Sequence, residues 1–481
     1  MGSVDVVATV EASVARARTA QPAWAGLPVR ARQRVLARFH DLVLQHSDAI
    51  VELIQEETSK ARRDALSEVL AVASTARMYS TRAARILRSE HRRGGLPLLT
   101  RARVDHEPYG VVGIIAPWNY PFLLAVGDAL AALVAGNAVV IKPSELTPRC
   151  TDLALDLLQQ AGLPQDVAIA VHGTGEATGP GLIASVDYIC FTGSTRVGRI
   201  VAAAAAERLI PCSLELGGKN PAIVTRDADV ADTAAGLIAG AFANGGQACI
   251  SIERVYVERP AADALIAELV RRTRELQVAQ DGDWSADVGS LVSESHADAV
   301  EAQVAAAVAA GARAVVGGVR RRELGPTVYE PTVLVDVPDT TPLAREETFG
   351  PVMAVYVVDD LDAAVAAAND TEYGLNASVW AGSRREARSI ARRVHAGSVC
   401  TNATLLAYAA PDAEMGGWGI SGIGRRHGAV GLLRFTRSRS RHESFARGGG
   451  FDAILGLATT PARARLLVRA YALWRRIPLV R

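Results

Sequence analysis

The sequence predicts an α/β fold built from two α/β domains, and three observations carry that expectation. At 481 residues the chain exceeds what one hydrophobic core holds, so more than one domain is expected. From residue 110 onward, short apolar runs alternate with helical stretches, the pattern of parallel strands joined by crossover helices. Near residue 221 the alternation starts again, which predicts two sheets rather than one.

The elements follow in order. Residues 6–90 carry Ala, Leu, Val and Ile at helical spacing, with Arg and Glu on the other face. They predict helices punctuated at Pro22, Gly26 and Pro28. Residues 91–107 predict two short strands with charged flanks, an arm rather than core. The first alternating series predicts strands at 111–116, 138–142, 167–172, 188–192 and 212–216, with helices at 122–135, 149–161, 175–184 and 195–208. The second predicts strands at 222–224, 254–257, 314–317, 352–358 and 377–381, with helices at 228–243, 260–276, 295–309, 361–369 and 384–394. The tail, 464–479, predicts a basic amphipathic helix with Arg465, Arg469 and Arg476 near one face and Leu466, Leu467 and Leu473 on another. Docking on the protein or a neighbouring subunit is the expectation for it, with peripheral membrane contact as the alternative.

Composition excludes several classes. A net charge of +1 leaves no surplus of Lys and Arg for a phosphate backbone, so no nucleic-acid partner is expected. With 49% hydrophobic and 21% charged residues, the chain is globular rather than disordered. The five cysteines are odd in number, widely spaced and without a C-x-x-C, which argues against a disulfide framework or a metal site and fits a reduced, cytoplasmic setting. Early acids and no basic stretch at the N-terminus argue against a signal peptide, and position 6 lacks the Ser or Thr of a myristoylation signal. The longest apolar tract, 121–141, contains Asp128, Gly136 and Asn137, so a buried helix and strand fit it better than a membrane span.

Four stretches carry candidate chemistry. F-T-G-S-T-R-V-G (191–198) follows a predicted strand and opens a predicted helix, where glycines and unpaired N–H groups suit a phosphate. It is not the G-x-G-x-x-G fingerprint, and a packing turn is the alternative. P-W-N-Y-P (117–121) fixes the backbone around Asn119, whose amide suits a developing oxyanion; taken alone it reads as a rigid turn. E-L-G-G-K (215–219) puts Glu215 at a strand end beside two glycines, which suits a general base; taken alone it reads as a surface Glu next to a turn. N-G-G-Q-A-C-I-S (244–251) sets Cys249 after a flexible, small-residue stretch, either inert filler or a nucleophile.

Together, and in this order with K-P-S-E (142–145), E-E-T-F-G-P-V (346–352) and G-G-W-G-I-S-G-I-G (416–424), these stretches resemble the aldehyde dehydrogenase superfamily over about residues 5–445. The resemblance implies a Rossmann-type cofactor domain, a second α/β catalytic domain and a small β oligomerisation arm. It places the cofactor domain at 1–90 and 107–216 with 415–436 packing back, the catalytic domain at 217–414, the arm at 91–106 and 437–446, and a basic extension at 447–481. It implies Cys249 as nucleophile, Asn119 as oxyanion donor with the Cys249 N–H, and Glu215 as general base. It puts Lys142 and Glu145 at the adenosine ribose, Gly193 and Ser194 at the pyrophosphate, and Glu347, Phe349 and Trp118 around the rest of the cofactor. A Glu at 145 disfavours a 2′-phosphate, so NAD is expected, with NADP left open. The remaining cysteines match no family motif. A homodimer or homotetramer is implied, the sequence not choosing between them. The Gly-Gly before Gln247 is expected to give Cys249 and the cofactor room to move.

Further stretches, such as S-G-I-G-R-R-H-G (421–428), are similar to actinobacterial enzymes described as succinic semialdehyde dehydrogenases. Two arginines known from such enzymes correspond here to Ala243 and Gly127, which leaves a substrate carboxylate without a cationic partner. Phe122, Leu123, Leu124 and Val126 suit an apolar aldehyde instead, or belong to the core. A general aldehyde dehydrogenase is therefore the expectation, with succinic semialdehyde as the alternative substrate. An acylating relative and a non-catalytic binding protein on the same fold are the rival classes. Asp128 stands where many relatives carry a proton-relaying Lys, which leaves that relay in doubt.

Overall fold

The computed structural model describes residues 3–93, 100–279, 284–445 and 455–474. Four helices open the chain, Ser3–Gly26, Val29–Gln45, Ser47–Thr58 and Arg62–Ile86. They pack into the core around a six-stranded sheet through Trp24, Phe39, Ile54 and Val72, all buried. Trp24 also donates its indole N–H to the Leu133 carbonyl at 2.8 Å, so its one polar atom is satisfied inside the core.

The strand order in this sheet is Gly422–Ile423, Cys212–Glu215, Tyr188–Thr192, Val111–Ile115, Ala138–Lys142, Ala168–Ala170. All neighbours are parallel except the short first strand. The Val and Ile runs are buried on both faces because helices cover both, which is why they show no polar alternation. Helix boundaries follow local chemistry. Pro121 opens Pro121–Ala135 at the position where a missing N–H costs nothing, and Gly136 closes it at φ 103°. Ser194, Asp229 and Ser293 cap their helices through side-chain oxygens.

The second sheet has seven strands, in the order Arg313–Val316, Thr332–Val335, Val352–Val358, Ile252–Glu258, Asn220–Val224, Asn376–Trp380, Ser398–Thr401. Only the Arg313–Val316 edge is antiparallel. Thr332–Val335 and Ser398–Thr401 are strands that the sequence did not announce. Each is four residues long, too short to establish a period, and earns its place by pairing with a longer neighbour.

Glu90–Arg93, Thr100–Pro108 and Thr436–Ser444 form a separate three-stranded sheet. Part of the expected arm, 94–99 and 446, lies outside the described residues. The tail helix runs Pro461–Trp474, and Leu466, Val468, Tyr471 and Leu473 are exposed on it. These side chains are therefore not docked on this chain. Arg476 and the end of the expected helix lie outside the described residues. Among the described residues no helix is long and apolar enough to cross a membrane.

Candidate active site

In the first sheet the chain builds outward from Val111–Ile115 on one side, then returns to lay Tyr188–Thr192 on the other. Strand order reverses there, and the carboxyl ends of parallel strands open a crevice at such a point. Trp118 and Asn119 follow the first of these strands, Gly193 and Ser194 follow the second, and Glu215 ends the next. Cys249 enters from the second sheet, just before Ile252–Glu258.

The loop before the thiol is held tightly. Asn244, Gly245 and Gly246 sit at φ 53°, 63° and 71°, a left-handed path. A Cβ on Gly246 would stand 2.0 Å from the Gly350 carbonyl oxygen. Gly246 therefore serves a close backbone crossing with Gly350.

A buried polar network fixes Asn119 to this loop. The Asn119 amide donates to the Gln247 carbonyl at 2.9 Å, and the Asn244 amide donates to the Asn119 carbonyl at 2.9 Å. The Asn244 backbone N–H donates to Asp64 Oδ2 at 2.9 Å. Lys60 Nζ donates to the Asn119 carbonyl and to Glu68 Oε1, both at 2.6 Å. Glu68 Oε2 accepts from the N–H groups of Phe122 and Leu123 at 3.1 Å, satisfying two orphan donors of the Pro121–Ala135 helix. Lys60 and Glu68 are buried at 1% and 0% exposure. Sequence reasoning missed this pair. A Lys and a Glu in a helix-rich, charged region look solvated, and no motif marks them.

Cys249 stands on the shared wall of two cavities. One is lined by Trp118, Asn119, Gly193, Ser194, Glu215, Glu347 and Phe349, so these expected residues meet around the thiol. Trp118 and Phe349 meet edge to face there, with ring centroids 5.6 Å apart. The other cavity is lined mostly by apolar side chains, among them Tyr120, Leu123, Leu124, Ile250 and Met415. Phe122 and Val126 do not line it. Both are fully buried in the first core, because their turn of the helix faces the bundle. Lys142 and Glu145 lie outside both cavities, ion-paired at 2.8 Å at the end of the neighbouring strand.

Burial sets the electrostatics. It pushes the Glu215 carboxyl up to about 7 against the pull of Arg426 and Arg434, and Glu215 Oε1 has no hydrogen-bond partner among the described residues. It pushes the Cys249 thiol up to about 12, helped by the charges of Glu347 and Glu215. Glu347, buried near Glu253, rises to about 8 while its Oε1 accepts from the Gly218 N–H at 2.8 Å. Asp128 belongs to a separate cluster. Its carboxylate accepts from Arg426 Nη2 at 2.9 Å and from Arg434 Nη2. Burial opposes the charge there, but the two guanidinium groups outweigh it and hold the carboxyl below its ordinary range.

The first cavity fits a nicotinamide dinucleotide. A Cβ on Gly217 would stand 2.4 Å from Glu347 Oε2, and one on Gly193 would stand 2.6 Å from the Phe191 ring, so side chains there would crowd the cradle. Ser194 caps the Thr195–Glu207 helix at the cavity wall.

Comparison with known proteins gives the family. Residues 5–440 match the Aldehyde dehydrogenase family. A Mycolicibacterium smegmatis relative, provisionally named an NADP-dependent succinate-semialdehyde dehydrogenase, is 45% identical over 452 residues, covering 94% of this chain and 87% of its own. The 4,4'-diapolycopene aldehyde oxidase of a Methylomonas species is 38% identical over 434 residues, covering 89% of this chain and 80% of its own. The crystal structure of an NAD-dependent aldehyde dehydrogenase from Sinorhizobium meliloti matches with a TM-score of 0.87 at 33% identity, covering 92% and 88% of the two chains.

Proposed function

The chain belongs to the aldehyde dehydrogenase family and oxidises aldehydes with NAD(P), and we propose that Cys249, Asn119 and Glu215 carry that oxidation. The observation behind this reading is the position of Cys249 between two cavities, with an unpartnered Glu215 oxygen in one of them.

The thiol of Cys249 is protonated at neutral pH and needs a base, and Glu215 is the nearby carboxylate with an acceptor free. As the proton passes to Glu215, sulfur bonds to the aldehyde carbon. The carbonyl oxygen becomes an oxyanion, held by the Asn119 amide and the Cys249 N–H. When bound, NAD(P) supplies the acceptor for the hydride that this carbon gives up. The carbon is then a thioester on Cys249. After the first proton has left for solvent, Glu215 takes a proton from water. The hydroxyl adds to the thioester carbon, the C–S bond breaks, and the acid and the thiol are released.

Trp118, Gly193, Ser194, Glu347 and Phe349 hold the nicotinamide half of the cofactor in this reading, and Lys142 and Glu145 the adenosine ribose. NAD is the preferred form, since the Glu145 carboxylate repels a 2′-phosphate, while Lys142 beside it keeps NADP usable. Residues 1–90 and 107–216 serve as the cofactor domain and 217–414 as the catalytic domain. The outer strand Thr436–Ser444, exposed along most of its length, pairs with a second copy to give a homo-oligomer. Five free thiols support a reducing, cytoplasmic setting.

The test is NAD(P)H formation from aldehydes by the wild type and by Cys249→Ala. The substitution should remove turnover of every aldehyde while leaving cofactor binding intact. Turnover retained by Cys249→Ala would sink the mechanism.

A further inference from the structure

The apolar cavity beside Cys249 ends on two polar side chains that the mechanism does not use, Arg426 and His427. Arg426 is held in place rather than mobile. Its Nε and Nη2 donate to Asp128, and Nη2 also to Thr192 Oγ1, which leaves Nη1 without a hydrogen-bond partner among the described residues. His427 Nδ1 is buried and likewise has no partner among the described residues. The backbone of His427 sits at φ 63°, ψ 174°, a region that side chains other than glycine's rarely enter. Local strain of this kind is retained where the position of a side chain matters.

Charge gives these groups a direction. The cluster counts two cations, Arg426 and Arg434, against one anion, Asp128, a surplus of one positive charge in a buried place. A buried surplus charge is costly unless an anion joins it. Glu215 is the other anion within reach of these arginines, and burial leaves it only partly ionised near neutral pH. Space is available as well. Gly127 lines the same cavity, and a Cβ there would meet only Leu123 Cδ1, at 3.7 Å. The missing side chain leaves a path from the thiol side of the cavity toward Arg426.

We propose that Arg426 and His427 form a carboxylate subsite, and that the substrate is a short aldehyde carrying a carboxylate at its far end. This rests on the dehydrogenase reading above and names the class of aldehyde that the site takes. It also resolves a mismatch in the sequence. The two arginine positions known from succinic semialdehyde enzymes are empty here at Ala243 and Gly127, and the cation comes instead from near the C-terminus, through the gap that Gly127 leaves. Asp128 then positions Arg426, rather than acting on the substrate itself.

The test compares three aldehydes: succinic semialdehyde, butanal as its uncharged counterpart of equal length, and acetaldehyde, too short to reach the subsite. Wild type should favour succinic semialdehyde over butanal. Arg426→Gln should lower kcat/KM for succinic semialdehyde roughly 10- to 100-fold more than for butanal, mostly through KM, as loss of a charged hydrogen bond predicts. Because Arg426→Gln also leaves Asp128 with one partner fewer, Gly127→Leu provides an independent variant that leaves the ion cluster intact. It should close the path, losing succinic semialdehyde while sparing acetaldehyde. Equal losses on all three aldehydes in both variants would overturn the subsite, as would a wild-type preference for butanal. Butanal and acetaldehyde turnover in those cases would leave the dehydrogenase reading standing. No turnover of any aldehyde would end both.

Discussion

At the residue scale, Glu215 governs how the enzyme responds to pH. The base must be ionised, and burial raises its carboxyl to about 7, so kcat should fall as pH drops through that value. Glu215→Gln should remove this acid limb and slow both the attack of Cys249 and thioester hydrolysis, visible as weak NAD(P)H formation with no initial burst. The same shift works on stability with a definite sign. The folded chain binds this proton more tightly than the unfolded one, whose ordinary value is 4.5, so the penalty is absent below that pH and complete above 7. It amounts to about 3 kcal/mol. Glu215→Gln should therefore raise Tm above pH 7 and not near pH 4, which a thermal melt at both values reads directly. In the proposed reading a second residue, Glu145, sets cofactor choice. Glu145→Ala removes the charge opposed to a 2′-phosphate and frees Lys142, so kcat/KM should move toward NADP by roughly tenfold or more relative to NAD.

At the element scale, the Arg62–Ile86 helix supports the site without lining the cofactor cavity. Glu68 on it ties Lys60 to the Asn119 carbonyl and to the start of the Pro121–Ala135 helix. Lys60→Met strands a buried carboxylate, so it should cost about 3–5 kcal/mol of stability. It should also depress kcat more than KM, measured by denaturant unfolding beside steady-state kinetics. This network shows where the sequence stopped being legible. Strand runs such as 138–141 and 352–358 were clear because they are apolar throughout. The residues around Cys249 were clear because each sits in a motif of fixed spacing. The roles of Lys60, Glu68 and Asn244 were not, since the Asn119 carbonyl, the Phe122 N–H and Asp64 that they reach lie 59, 54 and 180 positions away, and only the fold brings them together. Arg426 lay within a quoted motif, yet its partner Asp128 stands 298 positions away, so its meaning was hidden. The crossing of Gly246 with Gly350 was hidden too, because Gly350 comes beside it only in the fold.

At the scale of the whole molecule, the three-stranded arm sheet leaves Thr436–Ser444 with one edge unpaired among the described residues. If this edge carries the proposed interface, Ser440→Pro breaks its ladder, and the sedimentation coefficient should be that of a monomer. Retention of the oligomer would place the interface elsewhere. The cluster of Asp128 with Arg426 and Arg434 has a different kind of consequence, one of timing. It joins residues 298 and 306 positions apart. At roughly 5–20 residues per second, a ribosome adds Arg434 some 15–60 s after Asp128. Through that interval Asp128 has no counter-charge, and a lone carboxylate does not settle into a core. The helix that carries it cannot take its final seat beside the thiol. A nascent chain thus already holds Cys249 but not the walls that make it reactive, and a truncated product released early carries a thiol with no dehydrogenase around it.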